Sequence, residues 1–281
     1  MKAMMRLVLA GACAALVCTA AFAQAPRKVR LATEGAFPPY NYTEADGKLA
    51  GFEIDLYQDL CKRAALDCSM EAQAFDGMIP ALNAGKFDAI IAGMSVTPKR
   101  EEAVLFTVPY SSVGQTFMTL KSGSIGEVPE TGAVFSLTSG EPAALAAIER
   151  LKPKLKGKII GVQTSTIAGA FLKKYFDGVV EVREYKTTEQ HDLDLYAGRV
   201  DAVFASMAYL IVAKKKAASD DVLITGPRFQ GGLLGTGAGI AFRKADTDLK
   251  TKFDDAIKSA IADGTVKRMS EKHFGFDVTP K

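Results

Sequence analysis

The chain has 281 residues, of which 48% are hydrophobic and 24% are charged, with a formal net charge of +3 and four cysteines. These proportions exclude a disordered chain, a collagen-like repeat and a small disulfide-dense domain, and a chain of this length usually forms about two domains. The nearly neutral charge gives no indication of a general affinity for nucleic acid.

The first 23 residues have the composition of a secretory signal peptide. Lys2 and Arg6 precede an almost uncharged apolar run at residues 7–21, which leads into the small-x-small sequence of residues 21–23. A membrane anchor would need about 20 apolar residues, and this run is shorter and has no charged flank after it. We therefore predict cleavage after Ala23 and export of the mature chain.

The mature chain opens with a predicted strand and a predicted helix. Residues 29–33 are predicted to form a strand that ends at Glu34. A hairpin-like turn at residues 46–47 then precedes a helix over residues 52–65, in which apolar side chains recur every three or four positions. Glu34 is therefore expected just beyond the end of a strand.

Cysteine usage agrees with export. Cys13 and Cys18 lie in the signal, and neither follows a convincing lipobox, so the mature chain holds only Cys61 and Cys68. An even pair in an oxidising compartment is typical of a disulfide, and a helix that turns directly into a strand can bring the two Cα atoms close enough. We predict a structural disulfide; the alternative is two buried free thiols.

One helix–strand pattern occurs twice. Residues 84–95 and 197–207 align without a gap, and both run from an Ala-Gly pair through an Asp-Ala pair to small residues and Met. An Ala-Gly pair is typical of a helix C-terminus with left-handed Gly, and a short apolar run is typical of a buried parallel strand. Each copy is predicted to be a helix that leads into a parallel strand.

A second strand and helix support this duplication. Residues 159–162 are predicted to form a strand like that at residues 29–33, and a helix follows over residues 167–175. Alternating strands and helices in both halves predict an α/β fold with two doubly wound α/β lobes. Ligands of such sheets bind beyond the carboxyl ends of the strands, so residues just after the strands are the candidate site.

The remaining chain adds one insertion and a helical C-terminus. Residues 121–157 interrupt the alternation with a loop and a helix over residues 141–151, which Pro153 is expected to end. We interpret this segment as an insertion in the second lobe. Residues 249–274 carry apolar side chains at helical spacing, which predicts helices that pack one face on a core.

Several segments of the mature chain resemble the solute-binding proteins of polar amino acid ABC transporters, a family with lysine/arginine/ornithine- and histidine-binding members. These segments are residues 51–56, 61–63, 75–82, 89–95, 97–100 and 263–265. Residues 161–166 and 189–195, together with the insertion, are more similar to the octopine- and nopaline-binding branch.

The resemblance implies the periplasmic binding protein type II fold, with a hinge of two crossings near residues 111–115 and 225–228. The first lobe would comprise residues 24–114 and 226–281, and the second lobe residues 115–225. The resemblance further implies a periplasmic monomer that delivers a small-molecule ligand to an inner-membrane ABC permease. We expect no cofactor, no metal and no nucleic acid.

The resemblance assigns opposite charges of the ligand to Arg100 and Glu34. Arg100 lies in a Ser-x-Thr-x-x-Arg motif with Ser95 and Thr97, and is implied to hold the ligand α-carboxylate, which matches the two parallel donors of guanidinium. Outside this motif, a solvated surface arginine would be the simpler interpretation. Glu34 is implied to recognise a distal guanidinium or ammonium group.

The other predicted ligand-binding residues are uncharged. They are Phe37 and Phe75 beside the ligand stem, Ala92, Gly93 and Ser95 at the first repeated strand, Gln163, Ser165 and Thr166 at a helix N-terminus, and Ser206 at the second repeated strand. Without the resemblance, core packing, turn geometry and helix capping would explain the aromatic, strand-end and helix-start residues respectively.

Ser206 departs from the family pattern, because binders of free amino acids usually carry an Asp here to pair with the α-ammonium. An opine has a secondary amine and an extra carboxylate, which uncharged donors suit better. We therefore predict capture of an arginine-related amino acid or an octopine- or nopaline-type opine. The alternatives are binding of free arginine, lysine, ornithine or histidine, a cyclohexadienyl dehydratase on the same fold, and a receptor's sensory domain.

An enzyme is the less favoured alternative because common hydrolase motifs, Gly-x-Ser-x-Gly and His-Glu-x-x-His, are absent from the sequence. Both histidines, His191 and His273, are expected outside the cleft, the first as a structural residue at a helix start and the second at the surface. The basic run at residues 214–216 is expected to be a solvated helix end.

Overall fold

A computed structural model describes residues 26–217 and 219–280. The predicted signal peptide, residues 1–23, lies outside the described residues. In the part of the chain that the structure describes, no helix is long and apolar enough to cross a membrane.

The strands in chain order are β1 (Arg27–Thr33), β2 (Ala36–Phe37), β3 (Asn41–Thr43), β4 (Leu49–Ala50), β5 (Leu66–Ala72), β6 (Ala89–Ile90), β7 (Leu105–Phe106), β8 (Gln115–Leu120), β9 (Val134–Ser136), β10 (Ile159–Gln163), β11 (Glu181–Tyr185), β12 (Ala202–Ser206), β13 (Val222–Gln230) and β14 (Ala241–Phe242). The α-helices are α1 (Phe52–Arg63), α2 (Met78–Asn83), α3 (Pro98–Glu101), α4 (Glu141–Leu155), α5 (Ile167–Tyr175), α6 (Thr188–Tyr196), α7 (Met207–Lys216), α8 (Thr247–Ala262) and α9 (Thr265–Phe274).

Two mixed sheets form the cores of two lobes. The sheet of the first lobe has the strand order β5-β1-β6-β14-β7, so it draws on both ends of the described chain. The sheet of the second lobe has the order β11-β10-β12-β8-β13-β9. A small sheet of β2, β3 and β4 follows β1 and includes the hairpin predicted around Gly47. The predicted two-lobed α/β architecture is confirmed.

The repeated pattern has the same structure in both lobes. Gly85 follows α2 and Gly198 follows α6, and both have left-handed backbone, with φ of 77° and 67°. The strand after each glycine pairs in parallel with the first strand of its own lobe, β6 with β1 and β12 with β10. Each lobe therefore places the carboxyl ends of two neighbouring parallel strands at one edge of its sheet.

The disulfide and the C-terminal helices are also present as predicted. Cys61, near the end of α1, is bonded to Cys68 in β5. In α8 and α9 the apolar positions Phe253, Ile257 and Val266 are fully buried in the core of the first lobe. The lysines at residues 214–216 end α7 and are exposed.

Two segments differ from the sequence expectation. Helix α4 continues through Pro153 to Leu155, because a proline in the last turn removes a single backbone hydrogen bond. Strand β13 stays in the sheet of the second lobe to Gln230, where it pairs with β9 from the insertion. The lobe boundary predicted at residue 225 therefore falls inside this strand.

Candidate ligand-binding site

A cavity lies between the two lobes, at the carboxyl ends of the repeated strands. It is lined by every predicted ligand-binding residue except Ser165, namely Glu34, Phe37, Phe75, Ala92, Gly93, Ser95, Arg100, Gln163, Thr166 and Ser206. Ser165 is exposed, with a left-handed backbone (φ 60°), and reaches the site only through its backbone carbonyl.

Arg100 is held by the start of the short helix α3. The Thr97 side chain caps this helix by accepting a hydrogen bond from the Arg100 backbone N–H at 3.2 Å. The guanidinium donates to the backbone oxygens of Ser95 at 3.0 Å and Ser165 at 3.2 Å, and its carbon lies 5.5 Å from the Phe75 ring centroid. The fixed guanidinium is therefore in contact with both lobes.

The charge of Arg100 is not neutralised by the chain. Within residues 26–217 and 219–280, no carboxylate forms an ion pair with it. Burial lowers the pKa of Arg100 to about 10, because desolvation disfavours the cation. A half-buried guanidinium with two parallel donors is suited to a carboxylate that enters from outside.

Glu34 places the opposite charge in the same cavity. Its side chain is 8% exposed, and burial raises its pKa to about 7. Nearby Glu53 and Asp76 also raise this pKa, whereas the Gln163 amide, which donates to Glu34 Oε1 across the cleft, lowers it. Among the described residues no base pairs with Glu34, so a ligand cation would offset the cost of its burial.

Glu53 positions the strand-end glycine from behind, a role the sequence analysis missed. This carboxylate is fully buried and accepts hydrogen bonds from the Gly93 backbone N–H at 2.6 Å, the Asn41 amide at 2.6 Å and the Tyr110 hydroxyl. Gly93 has φ 58°, and a β-carbon there would lie 2.9 Å from the Phe37 ring. Only glycine fits this approach of backbone to aromatic wall.

An aromatic stack crosses the cleft beside Gly93. Phe37 stacks between Tyr40, with ring centroids 5.1 Å apart, and Tyr209 of the second lobe, at 5.3 Å. Burial raises the pKa of Tyr40 to about 12, although hydrogen bonds with Ser111 and Ser206 oppose the shift. The sequence analysis did not single out Tyr40, although the structure places it against Ser206, the position of the missing family acid.

The second lobe contributes uncharged groups. The Gln163 amide donates to Glu34 and, at 3.1 Å, to the Lys186 carbonyl. The Thr166 hydroxyl donates to the Gln163 carbonyl at 2.6 Å. The Thr188 hydroxyl donates across the cleft to the Ala36 carbonyl at 3.2 Å. The second-lobe wall of the cavity is therefore polar but uncharged, and these side chains donate to protein oxygens.

The expected position of His191 was wrong. Its side chain is fully buried and lines the cavity. It reaches this place because α6 packs closely on β10, where a β-carbon on Gly161 would lie 3.2 Å from the His191 Cβ. His273 is not a free surface residue either, since its ring is 13% exposed and its Nε2 lies 2.7 Å from Asp55.

The described residues contain no group of three or more His, Cys, Asp or Glu side chains that could hold a metal ion.

Comparison with known proteins gives consistent relatives over nearly the whole chain. Residues 29–276 match the family described as bacterial extracellular solute-binding proteins, family 3. An octopine-binding periplasmic protein from Rhizobium meliloti is 41% identical over 95% of this chain and 97% of its own. An L-arginine-binding protein from Pseudomonas aeruginosa is 33% identical, with 98% of both chains covered.

A solved structure agrees. An ancestral arginine-binding protein bound to arginine has a TM-score of 0.74 and 31% identity, over 89% of this chain and 100% of that one. These matches confirm the predicted family and the periplasmic binding protein type II fold. The chain belongs to family 3 of the bacterial extracellular solute-binding proteins.

Proposed function

We propose that this protein captures an arginine-derived opine of the octopine or nopaline type and delivers it to an ABC importer. The observation that carries the proposal is the pair of unneutralised charges, Arg100 and Glu34, in one cavity. A ligand with a carboxylate at one end and a guanidinium at the other would satisfy both. The relatives named for octopine and arginine support this ligand class.

The cavity wall formed by the second lobe, here called the second wall (Gln163, Thr166, His191 and Ser206), is uncharged and favours the opine over the free amino acid. A primary ammonium at Ser206 would lack the full charge partner that a carboxylate provides, a deficit of about 1.5–3 kcal/mol for a hydrogen bond to a charged group. The Ser206 hydroxyl is also engaged with Tyr40. In an opine the amine is secondary and lies beside an additional carboxylate. That carboxylate partly balances the charge of the amine, and it accepts hydrogen bonds from uncharged donors.

Free arginine is the second candidate. It carries the same carboxylate and guanidinium as an arginine-derived opine, and the solved relative bound to arginine has the same fold. Lysine, ornithine and histidine carry the same carboxylate but not the guanidinium. Their cations lack its planar fork of donors and would fit Glu34 less well.

Capture would proceed by closure of the cleft. We propose that the two predicted lobes, residues 24–114 with 226–281 and residues 115–225, rotate about the two crossings, and that residues 226–230 of β13 move with the second lobe. Cross-cleft hydrogen bonds from Gln163 to Glu34 and from Arg100 to Ser165 already join the lobes in this closed arrangement. A ligand that bridges both lobes favours the closed form by its differential affinity.

The cellular setting follows from the same proposal. Cleavage after Ala23 would release a periplasmic monomer, and its closed form would be recognised by an inner-membrane permease. No covalent change of the ligand is required, so we propose a binding protein and not an enzyme. The ligand-binding residues are those predicted from the sequence, with Ser165 acting through its carbonyl.

Isothermal titration calorimetry of the mature protein with octopine, nopaline, arginine and histidine tests the proposal. We expect opine binding at least about tenfold tighter than arginine binding, which corresponds to about 1.4 kcal/mol. Tight arginine binding without opine binding would replace the opine by the second candidate. Turnover of arogenate or prephenate by the protein would instead establish the dehydratase.

A further inference from the structure

His191 has an unusual environment for a histidine inside a protein. Its side chain is fully buried, yet neither ring nitrogen has a hydrogen-bond partner. An Asp192 carboxylate oxygen lies 3.0 Å from Nδ1 but outside hydrogen-bonding geometry. A neutral imidazole carries one donor and one acceptor, and a buried polar group left without a partner destabilises the fold. Such a group in a native structure calls for a partner.

The protein groups around the ring are already engaged. Tyr185 and Tyr209 meet the imidazole edge-on, with centroids 6.2 and 6.0 Å away. The Tyr185 hydroxyl donates to Asp194 at 2.6 Å and the Tyr209 hydroxyl donates to Asp192. These two hydroxyls therefore donate their protons to carboxylates, and His191, a residue of the cavity lining, keeps two ring nitrogens that make no hydrogen bond within the described chain.

Other polar side chains of the second wall differ from His191 in this respect. Gln163, Thr166 and Thr188 donate to protein oxygens, and Ser206 is bonded to Tyr40. Among the described residues, the buried side-chain atoms without a partner that also line the cavity belong to His191. A ligand group that reaches this side of the cavity could therefore form a hydrogen bond with His191.

We propose that His191 is a specificity-determining residue that donates a hydrogen bond to the N-linked carboxylate of an opine. This inference rests on the proposed function, because Arg100 and Glu34 first fix the arginine part of the ligand. The additional carboxylate is the group that free arginine lacks. His191 is therefore a contact for the opine and not for the amino acid.

The test compares two ligands in two variants. His191→Phe keeps a ring of similar shape and removes both nitrogens, and His191→Asn retains a shorter donor. We expect His191→Phe to weaken octopine binding about tenfold and to change arginine binding less than about twofold, with His191→Asn between wild type and His191→Phe. His273→Asn, which alters the histidine beside Asp55, is the matched control and leaves both affinities unchanged.

A spectroscopic measurement separates contact from structural support. In NMR spectra of the wild-type protein, octopine is expected to shift the His191 imidazole signals more than arginine does, with His273 as internal reference. If the octopine-to-arginine affinity ratio is unchanged in His191→Phe, the inference about His191 is wrong. The proposed function still holds in that case, provided that the wild-type protein binds the opine. Wild-type binding of arginine alone overturns both.

Discussion

The two walls of the cleft differ in charge. The first-lobe wall, Glu34, Phe37, Phe75 and Arg100, holds an acidic and a basic side chain, whereas the second-lobe wall, Gln163, Thr166, His191 and Ser206, holds no Asp, Glu, Lys or Arg. Charges on one lobe can bind and orient a ligand while the cleft is open. We propose that the second wall then adds ligand contacts made only in the closed form, and that these contacts select the ligand that closes the cleft.

The strongest test of this division removes the cation of the first wall. Arg100→Ala is expected to weaken ligand binding at least about 100-fold, because a desolvated carboxylate loses its partner. Arg100→Lys retains the charge but not the parallel donors, so we expect an intermediate loss. Calorimetry with octopine and arginine measures both.

The matched control is Arg150→Ala, which removes an arginine whose side chain is 52% exposed on α4 and pairs with Glu130. Its ligand affinity is expected to stay at the wild-type value. If Arg150→Ala lost as much ligand affinity, or if Arg100→Ala kept the wild-type affinity, the role of Arg100 in ligand binding would be contradicted.

The anion of the first wall gives the next largest effect and a pH dependence. Glu34→Gln is expected to weaken binding of a guanidinium ligand about 10- to 100-fold at pH 8. In the free protein Glu34 has a pKa of about 7. Below that pH it must lose a proton before it pairs with a cation, so wild-type affinity rises with pH up to about 7 and then levels off.

Calorimetry between pH 5 and pH 8.5 follows this dependence. The slope should approach tenfold per pH unit below the pKa and disappear in Glu34→Gln. Glu44→Gln, on an exposed turn, keeps the wild-type profile as the control. A flat wild-type profile would mean that Glu34 does not face the ligand cation.

A third prediction adds a negative charge to the second wall, which then carries a carboxylate as the first wall does. Ser206→Asp adds a carboxylate where a primary ammonium would bind, and it repels the extra carboxylate of an opine. We expect the affinity ratio of arginine to octopine to rise about tenfold, with Ser206→Asn as the uncharged control of equal size. An unchanged ratio in Ser206→Asp would place the ligand amine away from β12.

The sequence and the family resemblance predicted the two charged residues of the first wall, but not the cavity positions of Tyr40 and His191. Glu34 lies at the predicted end of a strand, and its role and that of Arg100 were implied by the family resemblance, which rests on short segments of adjacent residues. His191 depends on how closely α6 approaches β10 at Gly161, and the contact of Tyr40 with Ser206 depends on how the two lobes meet. Strand β13 likewise extends past residue 225 because of a distant partner, β9. Such non-local contacts leave no periodic signal in one sequence.

The smallest expected effect on binding comes from the disulfide of the first lobe. Replacing Cys61 and Cys68 together by Ser releases a short loop between α1 and β5, an edge strand of the sheet. Chain entropy alone predicts a loss of about 2–3 kcal/mol in the free energy of unfolding, and thermal unfolding should occur about 5–10 °C lower. Ligand affinity should change less than about twofold, because neither cysteine lines the cavity. A loss comparable to that of Glu34→Gln would contradict this, and would mean that the first wall owes its charge placement to the disulfide and not to the strand ends themselves.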